Sequence, residues 1–185
     1  RVLFDFGFPM GPFAMSDLAG LDIGWKAEKS SSSTIREIIC ESGRRGQKNG
    51  RGYYTYDPDT RASTPDPEVE QLIRDFAAAR GVEQREVTDQ EVLERCLYPM
   101  VNEGAKILDE RIAIRGSDID VVWVHGYGWP VYRGGPMYWA DSVGLAEIAE
   151  RITSYGAALG GRHWELSPLL RRLADEGGAL HQFSN

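Results

Sequence analysis

The sequence predicts an all-α protein made of two related helical units, and three observations carry that prediction. Apolar residues recur at helical spacing through most of the chain, as Val69, Leu72, Ile73 and Phe76 do. Helix-start and helix-stop residues bracket these stretches. A glycine-proline segment also occurs twice. Gly7-Phe8-Pro9-Met10-Gly11-Pro12-Phe13 returns in relaxed form as Gly128-Trp129-Pro130, three extra residues, then Gly134-Gly135-Pro136-Met137. From there Gly11-Pro12, Asp17 and Gly20-Leu21 match Gly135-Pro136, Asp141 and Gly144-Leu145 at one offset of 124 residues. A fixed offset of this kind marks two copies of one supersecondary unit.

The elements follow in order. Arg1 opens the chain inside an apolar segment with no methionine, so the chain is expected to be a piece of something longer. Pro12 suits the first turn of a helix, where its missing N–H is no loss. Thr34 with Glu37 forms a capping box ahead of Ile35, Ile38 and Ile39, and Gly43 ends that helix. The glycine-rich run 43–52 leads into Tyr53-Tyr54-Thr55-Tyr56, the one extended piece expected. Asp57 to Pro67, rich in proline and small polar residues, reads as a linker. It divides a first unit, residues 1–60 and truncated at its N-terminus, from a second, residues 61–185. Val69 to Phe76 then builds a helix ending at Gly81. Thr88 and Glu91 open a long helix through Val92, Cys96, Met100 and Leu108 that Pro99 should kink. Ser117-Asp118 starts a helix through Val124, Leu145 to Tyr155 form another closed by Gly160-Gly161, and Ser167-Pro168 opens the last.

Composition limits the function. With 185 residues, 42% of them hydrophobic, the chain is long enough to bury a core, and a net charge of -7 argues against a nucleic-acid partner. No apolar run reaches the roughly 20 residues of a membrane span. Cys40 and Cys96 sit among aliphatic helix residues and read as reduced and buried, in a reducing compartment.

The residues alone do not assemble a catalytic set. The three histidines, His125, His163 and His181, have no partners at metal-ligand spacing, so no metal is expected. His125 beside the second loop is either a base or a helix cap. Asp17 and Asp141 recur at matched places, which points to a shared structural task, expected to be holding the turn before Gly20 or Gly144. The basic run Arg44, Arg45, Lys48 and Arg51 has two readings: a phosphate cradle or a solvated turn. Trp123, Trp129 and Trp139 crowd the second loop and read as a buried contact.

The first glycine-proline segment, with Asp17 and Gly20-Leu21-Asp22, resembles the C-terminal domain of (S)-3-hydroxyacyl-CoA dehydrogenases. So does Gly46-Gln47-Lys48-Asn49-Gly50-Arg51-Gly52-Tyr53-Tyr54, where the family often has threonine in place of Asn49 and phenylalanine in place of Tyr53. Tyr98-Pro99-Met100-Val101-Asn102-Glu103-Gly104, Asp118-Ile119-Asp120 and Tyr132-Arg133-Gly134-Gly135-Pro136-Met137 resemble the second copy of that domain, found in multifunctional β-oxidation enzymes.

The resemblance implies a parent that passes hydride from C3 of a 3-hydroxyacyl-CoA to NAD. Its cofactor site, its histidine-glutamate pair and a substrate-side asparagine would all precede Arg1, so this chain should hold no catalytic and no cofactor-binding residue. Its share would be to shape the acyl end of the site through Pro9, Met10 and Phe13, with Lys48 and Arg51 toward coenzyme A phosphates. In the second copy Glu94 stands where the asparagine would, which implies a non-catalytic duplicate packed with the first as a pseudo-dimer. Implied partners are an acyl-CoA, the upstream Rossmann domain and a thiolase subunit. The C-terminal residues lack a peroxisomal Ser-Lys-Leu address, and the expected location is the bacterial cytoplasm. The other reading is a helical interaction module that kept the fold and lost the chemistry.

Overall fold

The helix starts read from the sequence have physical counterparts in the computed structural model, which describes residues 1–185. Nine α-helices and one small hairpin make the fold: α1 (Val2–Phe6), α2 (Pro12–Ala19), α3 (Ile35–Glu41), β1 (Tyr54–Tyr56), β2 (Ser63–Pro65), α4 (Pro67–Ala79), α5 (Asp89–Asp109), α6 (Gly116–Gly126), α7 (Pro136–Val143), α8 (Leu145–Leu159) and α9 (Pro168–Glu176). Pro12, Pro67, Pro136 and Pro168 each sit in the first turn of their helix. The Thr34 hydroxyl takes the Glu37 N–H at 3.2 Å while the Glu37 carboxylate takes the Thr34 N–H at 3.2 Å, so the capping box is complete. Thr88 takes the Glu91 N–H at 3.1 Å. α5 runs as one 21-residue helix with Pro99 inside it.

The chain divides into two compact units at places other than 60/61: Met10–Glu86 form one, and Arg1–Pro9 with Val87–Asn185 form the other. The proline-rich stretch is not a linker, because its residues are tied into the first unit. β2 pairs antiparallel with β1, with Tyr54 opposite Pro65 and Tyr56 opposite Ser63. Between the strands the Asp57 carboxylate takes the N–H groups of Asp59 and Thr60 at 3.0 and 2.7 Å, folding the turn on itself. Arg44 anchors the end of the hairpin: its buried guanidinium meets Asp66 at 2.7 Å and Glu68 at 2.6 Å. α4 then packs on α3, and Leu21, Ile39, Cys40 and Val69 form the core, flanked by Trp25, Ile35 and Tyr53.

The second unit is organised around α5. Tyr98, Val101, Ala105 and Leu108 lie on its buried side and pack with Ile119 of α6, Met137 of α7, Ile148 and Ile152 of α8, and Leu169, Leu170 and Leu173 of α9. Each such aliphatic side chain contributes roughly 1.5–3 kcal/mol by leaving water. A neighbouring aromatic cluster joins Phe6 and Phe8 to Trp129, each ring edge-on to Trp129 at 5.5 Å. Gly7 is required there: its φ is +123°, and a Cβ would lie 2.4 Å from the Tyr132 hydroxyl. Cys40 is fully buried, whereas Cys96 is only half-buried, a departure from the expectation that both are buried. No helix is long and apolar enough to cross a membrane.

Candidate functional site

The two sequence copies share a backbone device. α2 and α7 both begin at proline, both run for eight residues and both end at a glycine of nearly the same conformation, Gly20 at φ +106°, ψ +120° and Gly144 at φ +110°, ψ +117°. From α2, fully buried Asp17 takes the consecutive N–H groups of Tyr53 and Tyr54 at 2.9 and 3.1 Å, and the Tyr56 hydroxyl at 2.9 Å. From α7, Asp141 takes the consecutive N–H groups of Leu180 and His181 at 2.7 and 2.9 Å. The shared task expected of these aspartates is present, but it is not the one expected. They do not hold the local turn; each clamps a segment almost 40 residues further along the chain, the start of β1 for Asp17 and a C-terminal turn for Asp141. The clamp needs close approach: a Cβ on Gly52 would sit 2.0 Å from the Asp17 carboxylate.

In the first unit the clamp holds an aromatic segment beside the start of α2. Phe13, nearly half exposed, stacks on Tyr53 with ring centroids 4.6 Å apart. Met10 is half-buried in this unit, while Pro9 belongs to the second unit, where its ring covers Gly128. The basic loop carries its own counter-charges. Lys48 pairs with Asp22, whose carboxyl its hydrogen bond holds below the usual range. Arg51 meets Glu68 at 2.7 Å, on the carboxylate that also binds Arg44. Asp66 is brought down to about 2, first by the Thr55 hydroxyl and then by Arg44. Asn49 is spent inside the loop, taking the Arg45 N–H and donating to the Gly43 carbonyl. Lys48 and Arg51 therefore sit on one exposed loop, half exposed and each shared with a carboxylate.

Sequence reasoning missed the polar groups buried in the second unit. Glu94 of α5 is 3% exposed and receives Arg151 Nε at 2.7 Å, the Tyr155 hydroxyl at 2.6 Å and the Gln90 amide at 3.0 Å. Burial alone would push this carboxyl up, but the three donors together outweigh it and hold the pKa below the usual range. In return, burial and this hydrogen bond push Tyr155 to about 12. Asp120 of α6 accepts the N–H groups of Met137 and Tyr138 and lies 2.8 Å from His181 Nδ1; burial raises its pKa. His125 is exposed in the last turn of α6, the helix-end position. Only the glutamate at 94 carried a signal in the sequence, as the departure from the family's asparagine. Its partners Arg151 and Tyr155 lie on another helix.

The one sheet is two-stranded and antiparallel, and a doubly wound parallel sheet with its glycine-rich first turn is not built from these residues.

Fold and site together define a tandem helical domain, one copy with an open aromatic face and the other with a carboxylate locked in its core. The family model described as "3-hydroxyacyl-CoA dehydrogenase, C-terminal domain" matches residues 1–56 and 92–181, and the chain belongs to that family. Over 199 residues it is 43% identical to the peroxisomal bifunctional enzyme of Danio rerio, covering 96% of this chain and 28% of that protein. It is also 43% identical to the human peroxisomal bifunctional enzyme, covering 84% of this chain and 24% of that one. Among solved structures, the dehydrogenase part of multifunctional enzyme 1 from C. elegans superposes with a TM-score of 0.72 at 30% identity, over 92% of this chain and 40% of that one. The chain thus spans about a quarter of the length of these curated relatives. The expected bacterial cytoplasm is overturned: the relatives from fish and human, and others from Arabidopsis thaliana and rice, are all named peroxisomal.

Proposed function

We propose that this chain is the C-terminal helical part of a peroxisomal, NAD-dependent 3-hydroxyacyl-CoA dehydrogenase of fatty-acid β-oxidation, which converts (S)-3-hydroxyacyl-CoA to the 3-ketoacyl-CoA. The observation that carries the reading is the family match to both copies, each copy keeping its proline-started helix and aspartate clamp. In this reading NAD and the general base belong to another part of the parent protein. The first unit supplies the acyl side of the site through Met10 and Phe13, and Pro9 adds the turn before them. Lys48 and Arg51 face coenzyme A phosphates, exchanging part of their pairing with Asp22 and Glu68 for the ligand.

The second copy serves packing, not chemistry. What supports this is Glu94, saturated by Arg151, Tyr155 and Gln90 where the resemblance expects the substrate-side asparagine. Pairing of the two copies as a pseudo-dimer is part of the same proposal. It is supported by the backbone design that α2 and α7 share, since related units present related surfaces. A thiolase subunit is a partner to seek by co-purification.

The test is NADH oxidation with acetoacetyl-CoA by the full-length protein and by the 185-residue chain. Activity in the full-length protein alone is expected. Turnover by the short chain would place a base within it, and no turnover by either would leave the packing role as the whole function.

A further inference from the structure

The first unit holds an apolar cleft of about 140 Å³ whose walls are Phe13 and Tyr53 on one side and Pro65, Val69 and Ile73 on the other. Two of these side chains are large, apolar and kept open to solvent, Phe13 at 48% and Ile73 at 39% exposure. The matching place in the second copy is closed. There Met137 takes the place of Phe13 and is fully buried, so close to Gly104 of α5 that a Cβ on that glycine would lie 2.5 Å from the Met137 methyl group. One helix position is thus open in the first copy and closed in the second.

The far wall of the cleft comes from β2 and α4, which fall in residues 57–91, the stretch the family model passes over. The cleft is therefore built jointly by the family's aromatic segment and an element outside it. Its lining contains no cation: the charged residues at its edge are Asp66, held by Arg44 and Thr55, and Glu70, which pairs with Arg74 at 3.5 Å. An anionic group gains nothing by entering, whereas an uncharged hydrocarbon gains contact with aromatic and aliphatic walls. An apolar cavity of roughly 150 Å³ holds a benzene-sized molecule, so this cleft suits a handful of methylene groups.

Resting on the dehydrogenase reading above, we propose that this cleft receives the uncharged end of the acyl chain, so that α4, through Ile73, sets the chain length the protein favours. Tyr53 and Ile73 then act on specificity, and neither touches the reacting carbons.

The experiment measures kcat/KM of the full-length protein with acetoacetyl-CoA, 3-ketodecanoyl-CoA and 3-ketohexadecanoyl-CoA, for the unaltered protein, Ile73→Trp and Ile73→Ala. Ile73 lies at the solvent edge of α4, outside the buried core, so both variants should fold. Each methylene kept out of an apolar site costs about fourfold in affinity. Ile73→Trp is therefore expected to raise KM for the longer substrates about tenfold or more while leaving acetoacetyl-CoA within about twofold. Ile73→Ala should shift preference toward the longest chain. Chain-length profiles that stay parallel in all three proteins overturn the tail site and leave the dehydrogenase reading standing. An unaltered protein that reduces none of the three substrates overturns that reading, and the tail site with it.

Discussion

α2 and α7 are the same helix twice, yet they end in different surroundings. Both start at proline, both end at a glycine with φ above +100°, and both offer an aspartate to two consecutive backbone N–H groups. Asp17 is fully buried and also accepts the Tyr56 hydroxyl, whereas Asp141 is partly open and clamps only backbone. At the position after the proline, Phe13 is open and Met137 is sealed. Duplication has preserved what fixes the backbone and let the side chains at the surface diverge. That division is sensible physics: a lost backbone clamp strands buried donors, while an altered surface residue changes only what can bind.

The comparison breaks most decisively at the aspartates. Asp17→Ala leaves three donors without an acceptor, each worth about 1–3 kcal/mol when buried, so a loss of about 4 kcal/mol is expected. Asp141→Ala strands two donors nearer to solvent, and about half that loss is expected. Urea unfolding gives the totals, and amide exchange at Tyr53 and Tyr54 against Leu180 and His181 tells which clamp has opened. Equal losses would mean that burial of Asp17 adds nothing to its clamp.

A smaller effect is expected from the glycine that lets the first clamp close. In Gly52→Ala the new methyl would stand 2.0 Å from Asp17 Oδ1 and 2.3 Å from its Cγ, and neither side can retreat without opening the clamp. The expected cost is about 2–3 kcal/mol. Combined with Asp17→Ala it should add much less than its separate value, because the atom it strikes is then gone. Full additivity in that double-mutant cycle would show that the methyl acts on something other than the aspartate.

Acid sharpens the contrast between units. Asp66 titrates near 2 in the folded chain against an ordinary 3.8, so its contribution is whole above about pH 4 and is lost as pH falls through the folded value. The contribution is about 1–2 kcal/mol after allowing for the carboxylate's partial exposure. Glu94 in the second unit has the same sign, with its pKa also held low. Asp66→Asn should flatten the acid-dependent rise in amide exchange of α4 between about pH 4 and 2 and leave that of α5 unchanged. Flattening in both would tie the two units into one titration.

Local signals made much of this fold legible, and non-local pairing hid the rest. Thr34 with Glu37, Pro12 and Pro168 spoke for their helices because a cap acts within one turn. The repeat offset marks Gly20 and Gly144 as matched positions, and they share a conformation. Ser63–Pro65 was read as linker because its composition is that of a loop, and only the opposite strand makes it β2. Arg44 looked like one of several surface cations. Its burial depends on Asp66 and Glu68, more than 20 residues on. At the candidate site, the residues around the first loop were reachable through the family likeness, but the facing wall at Ile73 needed the packing of α4 beside Tyr53. The cytoplasmic expectation rested on the last residues alone, and the names of the relatives overturned it.

The smallest expected effect on stability tests the basic loop. Lys48 is half exposed and its pair with Asp22 is a surface ion pair, so Lys48→Ala should cost about 0.5 kcal/mol or less. Should Lys48 meet a coenzyme A phosphate, the same change raises KM for acetoacetyl-CoA several-fold in the full-length protein and leaves KM for acetoacetyl-pantetheine, which lacks the nucleotide phosphates, where it was. Arg51→Ala is the parallel test, with Glu68 still held by Arg44 after the change. A rise with both thioesters would point to disturbance of the Asp17 clamp through the loop, and a rise with neither would return the loop to the status of a solvated turn. Because the second copy has no basic loop of this kind ahead of its clamped segment, a coenzyme-specific effect would also identify the first copy as the one that still works for the enzyme.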